Sequence, residues 1–347
     1  MWYGLHPGGK IFLVENNFKL RMLLNSFLWF ENYSMILSWK ELSISLQQEL
    51  IQKRAKFFGD KKVYVAIIFL GEDYSSATYV KHKKTYGESI GLPVIIFGQN
   101  HQAEYDRNQA GKFDDVGIYI NQKYDSVWKV MELIRYLNQD TDCVGIMIQL
   151  PLPESFVEYK TQMLAAITPT KDIDGLGGVL TGLSSIDLID FIPATPKAVL
   201  YVLDNYQLGD MKWKSVAILW QSNIVWKPLI FECIKRWATV HTCNSKTPIQ
   251  QTKMITKNSD YIISSTGKVH LVDETFVRDD KSQIIVDVGY GHIDGKPVGD
   301  VNIETIKDKV AAYTPVPGGV WPLTIACLFD NVFTLQSYQD ILKPYKL

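Results

Sequence analysis

Cysteine is scarce and scattered. Cys143, Cys233, Cys243 and Cys327 form no CxxC pair, and the six histidines fall in no HExxH or comparable ligand spacing. This argues against a disulfide framework and against a bound metal. Long hydrophobic runs are missing too: none reaches the roughly 18 residues a membrane helix needs. The N-terminal stretch is broken by Lys10, Glu15, Lys19 and Arg21. Charge of one sign is also absent, because 36 basic and 37 acidic side chains leave a formal charge of −1. No overall field draws the chain to nucleic acid or to an anionic bilayer. These absences together predict a reduced, cytoplasmic protein with no nucleic-acid and no membrane partner.

What is present, 347 residues of which 46% are hydrophobic and 21% charged, fits a globular chain of two domains. From about residue 35, helical periodicity alternates with short β-branched apolar runs. That is the pattern of an α/β fold, with parallel sheets covered by helices on both faces. Strands are predicted at 63–69, 93–97, 144–149, 215–219, 239–243, 261–264 and 284–288. Helices are predicted at 42–57, 78–90, 126–137, 196–206 and 225–235, with Gly91 as a left-handed cap. Proline and glycine gather in TPTKDIDGLGG and FIPATP, which places a domain junction near Thr195. After TPVPGG, an apolar helix from Pro322 to about Leu335 is expected to return to the first domain. Residues 1–34 show no clear cap or strand signal and read as a poorly patterned extension.

Three segments carry candidate chemistry. Tyr79 and Lys83 stand four apart on one helix and leave from the same face. Taken alone, YxxxK equally describes packed tyrosine beside a solvated basic face. Gly145 to Pro153 reads as a buried strand that ends at Gln149 before a proline turn. Ligands of open α/β sheets bind beyond the carboxyl ends of strands, where Gln149 falls. In Lys171-Asp172-Ile173-Asp174-Gly175 two carboxylates flank a turn, and a turn-stabilising aspartate is an equal reading.

Taken in order, SSATYVKHK, GIMIQLPLP, KDIDG, PATP, QSNIV–KP, ATVHTCNSKT, TGK, IVDVG, GDV and TPVPGGV–PLT resemble one family. It is the bifunctional methylenetetrahydrofolate dehydrogenase/methenyltetrahydrofolate cyclohydrolase family, and the likeness runs from about Met35 to the C-terminus. The resemblance implies an N-terminal α/β/α folate-binding domain over 35–195, completed by 321–347, and a Rossmann-like NAD(P)-binding domain over 196–320. It implies that Lys83 is the acid/base and water-activating group, with Tyr79 stacked on the folate. Gln149 would hold Lys83, and Asp174 would bond the pterin edge. Ser76, Pro317, Gly318, Gly319 and Val320 would bind substrate. Trp220, Gln221, Ser222, Val225, Ser245, Gly267 and Tyr290 would bind the cofactor, NADP with NAD as the alternative. A desolvated cleft, with repulsion from Lys81 and Lys84, is expected to lower the Lys83 pKa. A homodimer is implied as well. A short-chain dehydrogenase using YxxxK fits poorly, because Phe69 is followed by Leu-Gly-Glu-Asp rather than a glycine-rich turn.

The sequence departs from that family at tryptophan. Of nine, Trp39, Trp213, Trp220, Trp226, Trp237 and Trp321 stand where the family has glycine. A glycine after the first Rossmann strand lets the backbone approach a pyrophosphate, and an indole there fills the cofactor's space. One reading is systematic: codons read as glycine in the source organism have been translated as tryptophan. The other takes the residues as real, giving a degenerate member that keeps folate binding or the cyclohydrolase alone. Gln221 also replaces an arginine that would pair with the 2′-phosphate of NADP, and only Lys246 stands near to compensate.

Overall fold

The computed structural model describes residues 34–71, 74–98, 122–220, 226–318 and 320–345. Residues 1–33 of the extension, and the predicted site residues Gln221, Ser222, Val225 and Gly319, lie outside the described residues.

The chain opens with β1 (Met35–Ile36), α1 (Lys40–Phe58), β2 (Tyr64–Phe69), α2 (Tyr74–Ser89), β3 (Val94–Gly98), α3 (Val127–Gln139) and β4 (Cys143–Ile148). Strand β2 is the centre of a parallel sheet of order β3-β2-β4. Every residue of β2 and β4 is buried, as a sheet covered on both faces requires. The strand's period of two splits its side chains between layers. Tyr64, Ala66 and Ile68 meet Val130, Leu133, Ile134 and Leu137 of α3. Val65, Ile67 and Phe69 join Leu42, Leu46 and Leu50 of α1. Past α2, Gly91 adopts φ +75 as expected of a left-handed cap.

Next come α4 (Glu154–Val157), α5 (Lys160–Ala165), α6 (Val179–Ser185) and α7 (Ala194–Asn205). Then follow β5 (Ser215–Trp220), α8 (Trp226–Lys235), β6 (Thr239–Cys243), α9 (Ile249–Lys257), β7 (Tyr261–Ser265) and β8 (Ile284–Asp287). The chain closes with β9 (Gly291–Ile293), β10 (Lys296–Val298), α10 (Ile303–Ile306), β11 (Ala312–Tyr313), α11 (Trp321–Ser337) and α12 (Gln339–Leu342). The second sheet has the order β1-β11-β8-β7-β5-β6, all parallel. Strand β5 lies between β6 and β7, so the winding reverses beside it and opens a crevice at the carboxyl ends.

Two features differ from the expected boundaries. Met35 and Ile36 pair with Ala312 and Tyr313 at the edge of the second sheet, rather than beginning the first unit. A strand of two residues is too short to write a period into the sequence. The hairpin β9–β10 is likewise too short to show alternation. Helix α11 returns to the first unit as its apolar pattern suggests. Phe333 stacks at 5.9 Å on both Phe57 and Phe58 of α1, and Phe329 lies 5.7 Å from Tyr86 of α2. Among the described residues, no helix is long and apolar enough to cross a membrane, and no group of three or more His, Cys, Asp or Glu is placed to hold a metal ion.

Candidate active site

Helix α2 carries Lys83 inward over the sheet. The side chain is buried, and its Nζ donates to Oε1 of Gln149 at 2.9 Å, with Met147 Sδ at 3.5 Å. The Tyr79 ring, one turn back, has its centroid 4.4 Å from the same nitrogen. Gln149 is fixed in turn, its backbone N–H donating to Ile68 at 2.8 Å and its Nε2 to Leu150 O at 2.6 Å. Burial lowers the Lys83 pKa to about 8, opposed by the Asp174 carboxylate. The expected repulsion from Lys81 and Lys84 is absent, and burial alone does the lowering. At 100° per residue these two lysines leave α2 in other directions, and Lys81 is solvent-exposed.

The two aspartates of the KDIDG loop part company. Asp172 is buried and accepts the N–H groups of Gly175 at 2.9 Å and Gly177 at 2.8 Å, so it is the turn-stabilising carboxylate. Burial lifts its pKa to about 7. Asp174 instead lines the cleft with Lys83, and burial raises its pKa against the pull of the Lys83 charge. The turn that follows Asp174 needs glycine, since Gly175 sits at φ +71 and an added Cβ would lie 2.4 Å from Phe191. Lys171 anchors the near side by donating to Leu137 O at 2.7 Å and Asp140 O at 2.6 Å, at the end of α3.

The cleft measures about 670 Å³. Ser76, Tyr79, Lys83, Gln149 and Asp174 all line it, with apolar walls from Leu150, Pro151, Leu152 and Leu176. Few convergent polar groups on apolar walls suit a small, largely flat organic ligand. Sequence reading gave no role to Thr195, Thr324, Ser265 or Val288, which also line it, although PATP, PLT and IVDVG were among the matching segments. The TPVPGG loop stands apart from the residues that line the cleft. Pro317 and Gly318 are not among the lining residues, and Val320 is wholly buried in the core. Gly318, at φ +103, lies against the Trp39 indole instead, and Val320 is drawn inward as the residue that opens α11.

Beyond Ser265 and Val288 the cleft reaches the carboxyl edge of the second sheet. Trp220 ends β5, Ser245 follows β6, Gly267 follows β7 and Tyr290 follows β8. The four predicted cofactor residues within the described part therefore share one edge, across the switch point. Gly267 has φ +67 with open space where a Cβ would be, and Ser245 and Tyr290 are exposed. A buried carboxylate pair fastens these loops. Asp300 Oδ2 accepts Ser264 Oγ at 2.8 Å and Thr266 Oγ1 at 3.0 Å, while Asp287 accepts the N–H groups of Gly289 at 2.9 Å and Val301 at 2.9 Å. Burial raises Asp287 to about 7.

The tryptophans are less comfortable. Trp213 is the third residue of a turn closed by Lys214 N–H to Met211 O at 2.9 Å, at φ +65, a position that calls for glycine. Trp237, at φ +61, follows α8 where Trp237 N–H reaches Ile234 O at 2.9 Å and Ala238 N–H reaches Cys233 O at 3.0 Å. Those paired bonds are a Schellman cap, whose left-handed residue is usually glycine. Both indoles hang in solvent, 87% and 79% exposed. Trp226 is buried, and Trp220 buries its indole Nε1 without a hydrogen-bond partner. Trp39, by contrast, has an ordinary right-handed φ of −86.

A buried, partly neutral lysine facing a cleft that runs to the carboxyl edge of a doubly wound sheet defines a two-domain α/β enzyme of the dinucleotide-binding class. Residues 37–174 match the tetrahydrofolate dehydrogenase/cyclohydrolase catalytic domain, and residues 193–340 match its NAD(P)-binding domain. The chain belongs to the tetrahydrofolate dehydrogenase/cyclohydrolase family. It is 33% identical over 309 residues to the bifunctional protein FolD of Aquifex aeolicus, a span of 88% of this chain and 96% of the relative. A crystal structure of the Campylobacter jejuni FolD methylenetetrahydrofolate dehydrogenase/cyclohydrolase superposes with a TM-score of 0.73 at 30% identity, covering 88% of this chain and 99% of that one. A methylenetetrahydrofolate dehydrogenase from the silkworm Bombyx mori gives 0.74 at 28%, covering 89% and 99%.

Proposed function

We propose that this enzyme oxidises 5,10-methylenetetrahydrofolate to 5,10-methenyltetrahydrofolate with NADP and hydrolyses the product to 10-formyltetrahydrofolate, as a cytoplasmic homodimer. The observation that carries the reading is the buried Lys83 amine, held by Gln149 and brought to about pH 8. A neutral amine takes the proton released when water attacks the cationic one-carbon bridge. The ammonium then returns it to the ring nitrogen as the carbon–nitrogen bond opens. Tyr79 offers its ring face to the flat pterin or aminobenzoyl system, and Asp174 accepts from the pterin edge. The apolar walls limit the water that reaches the cation.

The carboxyl edge suits a dinucleotide at Gly267, where a left-handed backbone leaves open space, and at the exposed Ser245 and Tyr290. When bound there, the nicotinamide supplies the hydride acceptor. Trp220, at the end of β5, fits such a cofactor only if glycine stands there in the native protein. A genuine tryptophan there would occupy the dinucleotide's edge and leave the second reading, an enzyme with the cyclohydrolase alone, whereas its buried, unpartnered indole nitrogen counts against tryptophan. Gln221 cannot supply a charge to a 2′-phosphate, so the preference for NADP rests on Ser245 and Lys246. A kcat/KM ratio favouring NAD overturns it.

One assay separates the readings. The protein is mixed with methylenetetrahydrofolate and NADP or NAD, and methenyl absorbance is followed. Rise and decay are expected. Failure to form the methenyl compound, with decay when it is added, selects the cyclohydrolase-only reading; neither event contradicts both.

A further inference from the structure

Asn331, on α11, is fully buried, and every hydrogen-bonding group of its amide is used. Nδ2 donates to Ile173 O at 3.0 Å and to Ile192 O at 3.0 Å. Oδ1 accepts from Lys197 Nζ of α7 at 2.9 Å. The partners leave no choice of orientation, because the two carbonyls can only accept and the ammonium can only donate. The residues held are not arbitrary. Ile173 directly precedes Asp174, and Ile192 directly precedes Pro193, and both Asp174 and Pro193 line the cleft. Next to Asn331, Asp330 is pinned by Lys53 of α1 at 2.6 Å and by Lys197 at 2.5 Å. The amide is therefore mounted on a helix anchored to two others.

We infer that Asn331 is a positioning residue, setting where Asp174 stands relative to Lys83 and the bound folate. It touches no substrate, and the inference rests on the proposed role of Asp174 at the pterin. No apolar residue can replace it, since the two carbonyls and the ammonium would lose their partner in a buried place. An aspartate would turn an oxygen toward two carbonyl oxygens. Freed of this tie, the 173–175 turn still has its Asp172 hydrogen bonds, so the loop should shift rather than unfold.

The position of Asp174 also reaches the chemistry through charge. The ionisable groups facing the Lys83 amine are Asp174, whose carboxylate favours the ammonium, and the Tyr79 phenol. Asp172 stands behind Asp174, whose carboxylate adds to the burial that raises Asp172. Moving Asp174 away removes the main group that opposes the effect of burial.

The test compares Asn331→Ser, which retains a single donor, with Lys53→Met, which breaks the ion pair on Asp330 but leaves the Asn331 bonds intact. Asn331→Ser is expected to raise the folate KM about tenfold, to leave the NADP KM unchanged, and to move the pH midpoint of the cyclohydrolase rate downward. Lys53→Met should lower the melting temperature and move neither. An unchanged folate KM and midpoint in Asn331→Ser, or equal shifts in Lys53→Met at matched loss of melting temperature, overturns the inference. If Asn331→Ser does not fold, Asn331→Gln replaces it under the same criteria. Asp174→Asn is measured alongside. If it leaves the folate KM untouched, the pterin assignment of Asp174 fails separately, and the Asn331 inference then stands or falls on the pH midpoint.

Discussion

The two halves of the cleft are built to different standards. On the lysine side the groups that frame the cleft have partners: Lys83 has Gln149, Asp172 has two glycine N–H groups, and Lys171 has two helix-end carbonyls, while the orphan there is the Tyr86 hydroxyl, against Phe329 of α11. On the nucleotide side Asp287 is satisfied by backbone N–H groups, yet Asp300 buries its Oδ1 without a partner, Trp220 buries an orphan indole nitrogen, and Trp213 and Trp237 occupy left-handed positions. The clearest difference is one of backbone. Among the described residues each half carries one orphan oxygen, but the left-handed misfits at Trp213 and Trp237 are confined to the nucleotide side, where the chain needs the freedom of glycine.

The largest break to that comparison comes from Lys83→Met. If Lys83 is the proposed acid/base group, its removal should lower cyclohydrolase turnover roughly 10²- to 10⁴-fold, measured as decay of added methenyltetrahydrofolate. Turnover within a factor of a few of the parent would mean that the lysine side is scaffold only. Next in size, Asp172→Ala leaves the Gly177 N–H without its acceptor and the Gly175 N–H with only the residue-172 carbonyl at 3.2 Å, and should cost about 2 kcal/mol, read from the urea midpoint. Loss of less than about 0.5 kcal/mol would show the turn to be held by something else.

The pH profile sharpens the same side. Lys83 is lowered to about 8, so below that value the amine is mostly protonated and unable to accept a proton. The cyclohydrolase rate should therefore climb about tenfold per pH unit at low pH, bend near 8 and level above it. A rate that is flat from pH 6 to 9 contradicts the sign. Smallest are the effects on the nucleotide side. Trp213→Gly and Trp237→Gly should each stabilise by about 1 kcal/mol, because a left-handed backbone disfavours any Cβ. Destabilisation by either would remove the argument that these are glycine positions. Peptide mass spectrometry of protein from its native source bears on all six sites, with glycine expected at 39, 213, 220, 226, 237 and 321.

Much of the site was legible in the sequence because its signals are local. The four-residue spacing of Tyr79 and Lys83, and a strand closing on Gln149, follow from helix and strand geometry, and the fold brings them to bonding distance. Which of Asp172 and Asp174 turns inward was given by the family resemblance alone, since both sit in one turn and only packing separates them. Asn331 and Asp330 read as polar interruptions of an apolar helix, their partners lying more than a hundred residues away in Lys197 and Ile173. The edge strand Met35–Ile36 and the hairpin at 291–298 are too short to carry a period. The expected repulsion from Lys81 and Lys84 failed for a similar reason, as proximity in sequence on a helix does not put charges on one face.

The central claim is that a buried amine at Lys83 is poised to exchange protons near neutral pH. Heteronuclear NMR of the protein with labelled lysine, assigned by comparison with Lys83→Met, reports that titration directly. A midpoint near 8 is predicted for the Lys83 resonance. A midpoint at about 10.4, the value of a lysine in water, would contradict the account.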